Sequence, residues 1–244
     1  QDWEFNVLGI YNYLKPGRFD SLFTFIKDNH DKIEGDIVEA GVFRGSSLIA
    51  IAMYLKQIGS DKKVYGFDSF EGFPPVYHSK DELSEYERMA KEGMIHENHI
   101  NAVRQNLQWK KALSSKELDK DISSSGSFSD TSLELLRKKI ELTNLDNIVL
   151  VDGVFSETMN EDLDIKKIMA VVVDCDLYQS YLDTFKFVWP RLEQGGFIHL
   201  DEYYSLKFPG AKLATDEFFK EKNVNLQMSD IKPGDFERWH AIKG

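Results

Sequence analysis

Only one cysteine, Cys175, occurs in the 244-residue chain. A lone cysteine permits no intrachain disulfide and fits a reducing compartment. Long apolar runs are also missing: none approaches the ~20 residues that a membrane-spanning helix needs. Residues 1–30 alternate polar and aromatic side chains and show no secretion signal. Basic residues are in the minority, 30 Lys and Arg against 41 Asp and Glu, for a formal net charge of −11. That balance argues against nucleic acid or an anionic membrane as the main partner. The 6 histidines do not pair at ligand spacing, and the only cysteine stands between two acids, so zinc is disfavoured. These absences together predict a cytoplasmic protein.

What is present is a core. At 42% hydrophobic, the chain can fill one large α/β domain, with or without an insertion. Two apolar runs end in acids. Ile168-Met169-Ala170-Val171-Val172-Val173 leads into Asp174-Cys175-Asp176-Leu177-Tyr178, and Gly195-Gly196-Phe197-Ile198-His199-Leu200 leads into Asp201-Glu202-Tyr203. Such runs read as buried parallel strands. Residues 179–193 between them are long enough for a crossover helix. The acids then stand at the carboxyl ends of two strands, the edge at which open α/β sheets bind ligands. Adjacent strands lie roughly 5 Å apart, so Asp174, Asp201 and Glu202 can converge on one hard cation such as Mg²⁺. Asp176 points near the same place. It either removes a proton from a substrate hydroxyl or caps the following helix.

Upstream, residues 35–41 read as a strand with a glycine turn, residues 46–58 as an apolar helix stopped at Gly59, and residues 64–68 as a second strand. This opens a doubly wound fold. The turn Glu39-Ala40-Gly41-Val42-Phe43-Arg44-Gly45-Ser46 makes a nucleotide-binding corner, because glycines let the backbone approach a ligand. The dinucleotide fingerprint has glycine where this chain has Phe43, which disfavours a pyrophosphate. S-adenosylmethionine fits better than NAD. Glu39 suits the cationic amino-acid group of that cofactor, and Asp68 suits its ribose hydroxyls. Asp152-Gly153-Val154-Phe155 ends a third strand at the same edge. It reads equally as an adenine contact or as an ordinary Asp-Gly turn.

The remaining segments are less regular. Residues 1–34 read as two helices broken at Lys15-Pro16-Gly17, forming an N-terminal helical segment that precedes the main domain of residues 35–244. They are candidates for covering the sheet, closing the ligand cleft or joining two copies of the chain. Residues 74–128 lose the α/β pattern. Helical stretches at residues 81–92 and 99–113 and a serine run at residues 123–127 suggest a lid-like insertion over the ligand edge. Within it His78, His96 and His99 read as surface residues or substrate contacts, while His199 reads as a core histidine. An amphipathic helix over residues 132–142, a helix over 211–220, and closing strands over 224–228 and 237–242 complete the pattern.

These motifs as a set resemble the macrocin O-methyltransferase family. The likeness is carried by Asp174-Cys175-Asp176-Leu177-Tyr178-Gln179-Ser180, by Trp189-Pro190-Arg191-Leu192 with Gly195-Gly196, by Asp201-Glu202-Tyr203, and by Gly210-Ala211 with Asp216-Glu217-Phe218-Phe219. The glycine turn, Phe67-Asp68-Ser69-Phe70-Glu71-Gly72-Phe73-Pro74 and Gly153-Val154-Phe155-Ser156-Glu157-Thr158 match its cofactor region. The resemblance implies a seven-stranded, mostly parallel Rossmann-like methyltransferase sheet that transfers a methyl group to a sugar or glycoside hydroxyl. It implies S-adenosylmethionine and a divalent cation as cofactors. Glu39, Gly41, Phe43, Gly45, Ser46, Asp68, Ser69, Phe70, Asp152, Gly153, Phe155 and Asp174 would hold the former. Asp174, Asp201 and Glu202 would ligate the latter, with Asp176 as base. The family has Asp-Asp where this chain has Asp201-Glu202, and the insertion after Pro75 has no clear counterpart. An NAD-linked sugar enzyme and a non-catalytic cofactor-binding domain are the rival readings.

Overall fold

A computed structural model of the chain describes residues 2–15, 17–75, 77–113, 128–229 and 237–244. Its centre is one seven-stranded sheet in the order β3-β2-β1-β4-β5-β7-β6. The strands are β1 (Asp36–Ala40), β2 (Val64–Asp68), β3 (Ile148–Asp152), β4 (Ile168–Val173), β5 (Leu192–Leu200), β6 (Val224–Met228) and β7 (Trp239–Lys243). β1 to β5 pair in parallel, and β7 runs antiparallel to both β5 and β6. Every residue of β4 is buried. That is why its sequence is an unbroken apolar run rather than an alternating one. The sheet confirms the doubly wound, mostly parallel architecture read from the sequence.

Helices cover both faces. On one side α2 (Asp20–Asn29), α3 (Ser46–Gln57) and α6 (Leu133–Leu142) pack Leu22, Ile26, Leu48, Ile51, Leu55 and Leu136 against Ile37, Val64 and Val172. On the other, α4 (Glu85–Lys91), α5 (Glu97–Leu113), α8 (Tyr178–Val188) and α9 (Pro209–Phe219) bring Met89, Val103, Tyr181, Phe185 and Ala214 against Val38, Val171 and Ile198, and the single-turn α7 (Phe155–Thr158) follows β3. α9 starts with Pro209 in its first turn, where the missing N–H costs nothing. Among the described residues no helix is long and apolar enough to cross a membrane.

Several boundaries differ from the sequence reading. The first N-terminal helix, α1 (Asp2–Leu8), stops at Gly9, which has a left-handed φ of 62°. Ile10, Tyr11 and Leu14, read as helical from their spacing, therefore lie in a connection. The stretch read as a helix over residues 81–92 is a 3-10 turn at Ser79–Asp81 followed by α4. β7 begins at Trp239, two residues later than expected. The serine run at residues 123–127 lies outside the described residues.

Register is what positions the site. Ala40 pairs with Val173, and Val173 pairs with Leu200. The residues that follow, Gly41, Asp174 and Asp201, are therefore side by side. The ladder continues through them: the Asp174 N–H donates to the Ala40 carbonyl at 2.9 Å, and the Asp201 N–H donates to the Val173 carbonyl at 3.1 Å. Strand order reverses between β1 and β4, the switch point at which such sheets open a crevice.

Candidate active site

A cavity of about 970 Å³ opens at that crevice. It is large enough for a nucleoside cofactor and part of a second molecule. Eleven of the residues anticipated from sequence line it: Gly41, Phe43, Ser46, Asp68, Ser69, Gly153, Phe155, Asp174, Asp176, Asp201 and Glu202.

The glycine turn builds one side of the cavity. Gly41 has φ +90°, and a Cβ there would lie 1.9 Å from the Asp174 carbonyl oxygen, so no side chain fits. Asp68 holds the turn in place. Its Oδ2 accepts from the N–H groups of Val42 and Phe43, each at 2.8 Å, and its Oδ1 accepts from the Phe70 N–H at 2.7 Å. Oδ1 keeps a lone pair for a further donor. Phe43 sits at φ 50°, with its ring edge-on to Phe128 and its carbonyl accepting from Thr131.

Four anticipated residues lie off the cavity. Glu39 is fully buried behind Ser47, whose hydroxyl donates to Glu39 Oε1 at 2.5 Å. Burial pushes its pKa up to about 8, against the Ser47 bond that lowers it. Its Oε2 is buried with no hydrogen-bond partner. Gly45 precedes α3 in a left-handed conformation and is packed under Leu136. Phe70 turns into the apolar layer beneath β1 and β2. Asp152 is exposed at the end of β3, in register with Asp68.

The acidic side is built from the ends of β4 and β5. Asp174, Asp201 and Glu202 each offer an oxygen within 4.8 Å of the others. Three carboxylates make an all-oxygen donor set that suits a hard divalent cation. Tyr181 on α8 fixes Glu202: its hydroxyl donates to Glu202 Oε2 at 2.8 Å and accepts from the Glu202 N–H at 3.1 Å. Asp176 lines the same cavity with a left-handed φ of 61°, a conformation that Asp tolerates better than most residues. Burial, then the neighbouring charges of Asp174 and Asp201, push its carboxyl well above the usual range. Glu202 is pushed up for the same reasons. Asp201 goes the other way. Burial alone would raise it, but Arg18, His199 and Arg238 hold it well below the usual carboxylate range. Cys175 is buried, and that burial pushes its thiol far up, so it is no nucleophile here.

Arg18 gave no signal in the sequence. It lies just before α2, yet its guanidinium donates to Asp201 Oδ2 at 3.0 Å and to Asp174 Oδ2 at 3.1 Å. His199 was read as a core histidine. It is buried against Phe19, and its Nε2 also meets Asp201 Oδ1 at 3.3 Å. Asp81, from the 3-10 turn of the insertion, lines the cavity and accepts from the Tyr178 N–H at 2.7 Å, capping α8. The three histidines of residues 77–113 separate. His78 lines the cavity with its ring 4.4 Å from that of Tyr178. His96 caps the start of α5 by accepting from the Asn98 N–H. His99 is buried, bonded to the Ser205 carbonyl at 3.0 Å.

The model of one protein family, macrocin O-methyltransferase (TylF), matches residues 16–146 and 114–235. The chain belongs to this family. Among curated relatives, the 8-demethyl-8-(2,3-dimethoxy-alpha-L-rhamnosyl)-tetracenomycin-C 4'-O-methyltransferase of Streptomyces olivaceus is 28% identical over 177 residues, 71% of this chain and 54% of the relative. The mycinamicin III 3''-O-methyltransferase of Micromonospora griseorubida is 24% identical over 205 residues, 82% of this chain and 66% of the relative. The chain thus spans about half to two thirds of the length of these relatives. The solved structure of the O-methyltransferase NovP superposes with a TM-score of 0.66 at 21% identity, covering 93% of this chain and 79% of NovP. An O-methyltransferase from Bacillus cereus in complex with SAH superposes with a TM-score of 0.57 at 13% identity, covering 98% of this chain and 86% of that one. At these identities the two structures speak for the fold: a Rossmann-like methyltransferase sheet.

Proposed function

We propose that this macrocin-family chain is an S-adenosylmethionine-dependent O-methyltransferase acting on a hydroxyl of a sugar or glycoside, with a divalent cation at the acid cluster. The observation that carries the reading is the meeting, in one cavity, of a glycine turn that admits a ligand to the backbone and the acids that end β4 and β5. Both curated relatives described above are named as O-methyltransferases of glycosylated natural products. That favours a sugar acceptor here.

Bound S-adenosylmethionine supplies an electrophilic sulfonium methyl, and a divalent ion supplies Lewis acidity. The protein's own residues do the rest. Gly41 and Ser46 present the turn to the cofactor, while Asp68 offers its spare lone pair to a ribose hydroxyl. Asp174, Asp201 and Glu202 hold the cation. Asp176 takes the proton of the acceptor hydroxyl. Positioning carries much of the rate, because little covalent protein chemistry is required. The insertion residues 77–113 wall the acceptor side through Tyr77, His78 and Asn106, and there they select the acceptor.

Calorimetric titration with S-adenosylhomocysteine, with and without Mg²⁺, tests the proposal. Micromolar binding is expected, with a change when metal is added. No binding in either condition would remove the methyltransferase reading, and reduced nicotinamide cofactors and nucleotide sugars would be titrated next.

A further inference from the structure

The acid cluster already contains a cation supplied by the chain. Arg18 spans the two strand ends, with one nitrogen 3.0 Å from Asp201 Oδ2 and the other 3.1 Å from Asp174 Oδ2. This is not a loose surface pair. Phe19, the next residue, is 1% exposed and packs against His199 and Tyr11. Leu22 and Ile26 of α2 are fully buried in the layer against β1, β4 and β5. The start of α2 is therefore clamped to the sheet, and Arg18 is delivered to the carboxylates from there. Its own side chain is 33% exposed and lines the cavity, so it has open space to move into.

Two of the three residues that would ligate a divalent ion are those Arg18 bridges. A guanidinium and a metal compete there on charge and on space. Ligand oxygens lie roughly 2.0–2.6 Å from Mg²⁺ or Ca²⁺. A guanidinium left at 3.0–3.1 Å from Asp174 and Asp201 would then face the ion across a few ångströms of poorly screened protein. Without Arg18 or a metal, the carboxylates of Asp174, Asp176, Asp201 and Glu202 face one cavity and repel one another, with Arg238 reaching Asp201 alone, at 3.6 Å.

Resting on the metal-site reading above, we propose that Arg18 is the resident counter-cation of the acid cluster, and that a divalent ion enters only by displacing it. The segment ahead of α2 thereby becomes a latch that reports metal binding. Arg18 is a positioning residue in this scheme: it holds the ligand carboxylates together before the metal arrives, and its departure opens the cavity wall where the N-terminal segment meets the strand ends.

The test measures metal binding rather than turnover. Mn²⁺ affinity is read by titration calorimetry, and by the electron paramagnetic resonance of free Mn²⁺, for wild type and for Arg18→Met. The variant is expected to bind Mn²⁺ at least tenfold more tightly. In EDTA it should melt below wild type, because buried carboxylates lose their partner. Added Mn²⁺ should then raise its Tm more than that of wild type. A purely structural role would lower the Tm without the gain in affinity. Should Arg18→Met fail to fold, wild type alone decides: amide exchange at residues 10–19 should speed up on adding Mn²⁺. Equal or weaker Mn²⁺ binding by the variant overturns the proposal, and so does exchange that metal leaves unchanged. Absence of Mn²⁺ binding by either protein overturns it as well, while S-adenosylhomocysteine binding would still leave the methyltransferase reading standing.

Discussion

Asp176 is the residue on which the proposed chemistry turns. It sits one residue past the buried Cys175, in a left-handed conformation, on the wall of the cavity that the acid cluster shares. Asparagine keeps its shape and its tolerance of that conformation but cannot accept a proton. Asp176→Asn is therefore expected to lose about 10²-fold or more in turnover. Its affinity for S-adenosylhomocysteine should stay within a few-fold of wild type. Rates from a methyl-transfer assay and titration calorimetry give the two numbers, and undiminished turnover would rule Asp176 out as the base. Glu39 makes a contrasting case. Its position next to the glycine turn marked it for the cofactor, yet its carboxyl is turned into the space behind Ser47. Its Oε2 is buried there without a hydrogen-bond partner.

At the scale of elements, residues 77–113 are tied into the site through several contacts. Asp81 caps α8 through the Tyr178 N–H and sits so close to Gly210 of α9 that a Cβ at Gly210 would collide with it. Lys80 bonds to the Tyr178 hydroxyl and to Glu217, and Tyr86 donates to the Ser205 carbonyl. Burial raises the Asp81 carboxyl to about 6, against the backbone N–H groups of Tyr178 and His78 that lower it. A raised carboxyl has a defined sign. The stability it contributes is fully present below its unfolded pKa, near 3.9, and is lost as pH rises through about 6. The loss amounts to at most about 3 kcal/mol. Asp81→Asn keeps the capping oxygen and removes the charge. Its Tm should gain on wild type between pH 4 and pH 7, by several degrees, and the gain should level off above pH 7. Parallel melting profiles across that range would show that the Asp81 charge carries no such cost.

For the whole molecule, the arrangement is a buried sheet edge with residues 77–113 packed beside it. β4 and β5 are buried along the residues that lead to the acids, so the cluster has a fixed floor. α5 reaches the cavity at Asn106, while outward pairs such as Arg104 with Glu87 are left to solvent. Amide exchange at residues 97–113 is expected to slow when S-adenosylhomocysteine and a glycoside acceptor bind together, while β4 stays protected throughout. Exchange in α5 that no ligand changes would make the insertion a decoration without a gating role.

Much of this was legible in the chain because it depends on local chemistry. Apolar runs ending in Asp mark the strands and the edge they share. Gly41 marks a turn that only glycine can make, and Phe43 in place of the fingerprint glycine disfavours a close pyrophosphate. The pairing of Asp-Cys-Asp-Leu-Tyr with Asp-Glu-Tyr carries the family. Other features were decided only by the folded structure. Val173 opposite Leu200 is what sets Asp174 beside Asp201, and a shift of one residue would turn those side chains to opposite faces. Arg18 reaches its carboxylates from 156 and 183 residues away. Asp81 reaches α8 from 97 residues away. The burial of Glu39 behind Ser47 follows from how α3 lies on β1. Strands, turns and strand-end acids obey rules that act over a few residues, so the sequence by itself determined them. A counter-cation, a cap from another element and the facing of a buried acid depend on which distant surfaces pack together, and only the tertiary structure decides that.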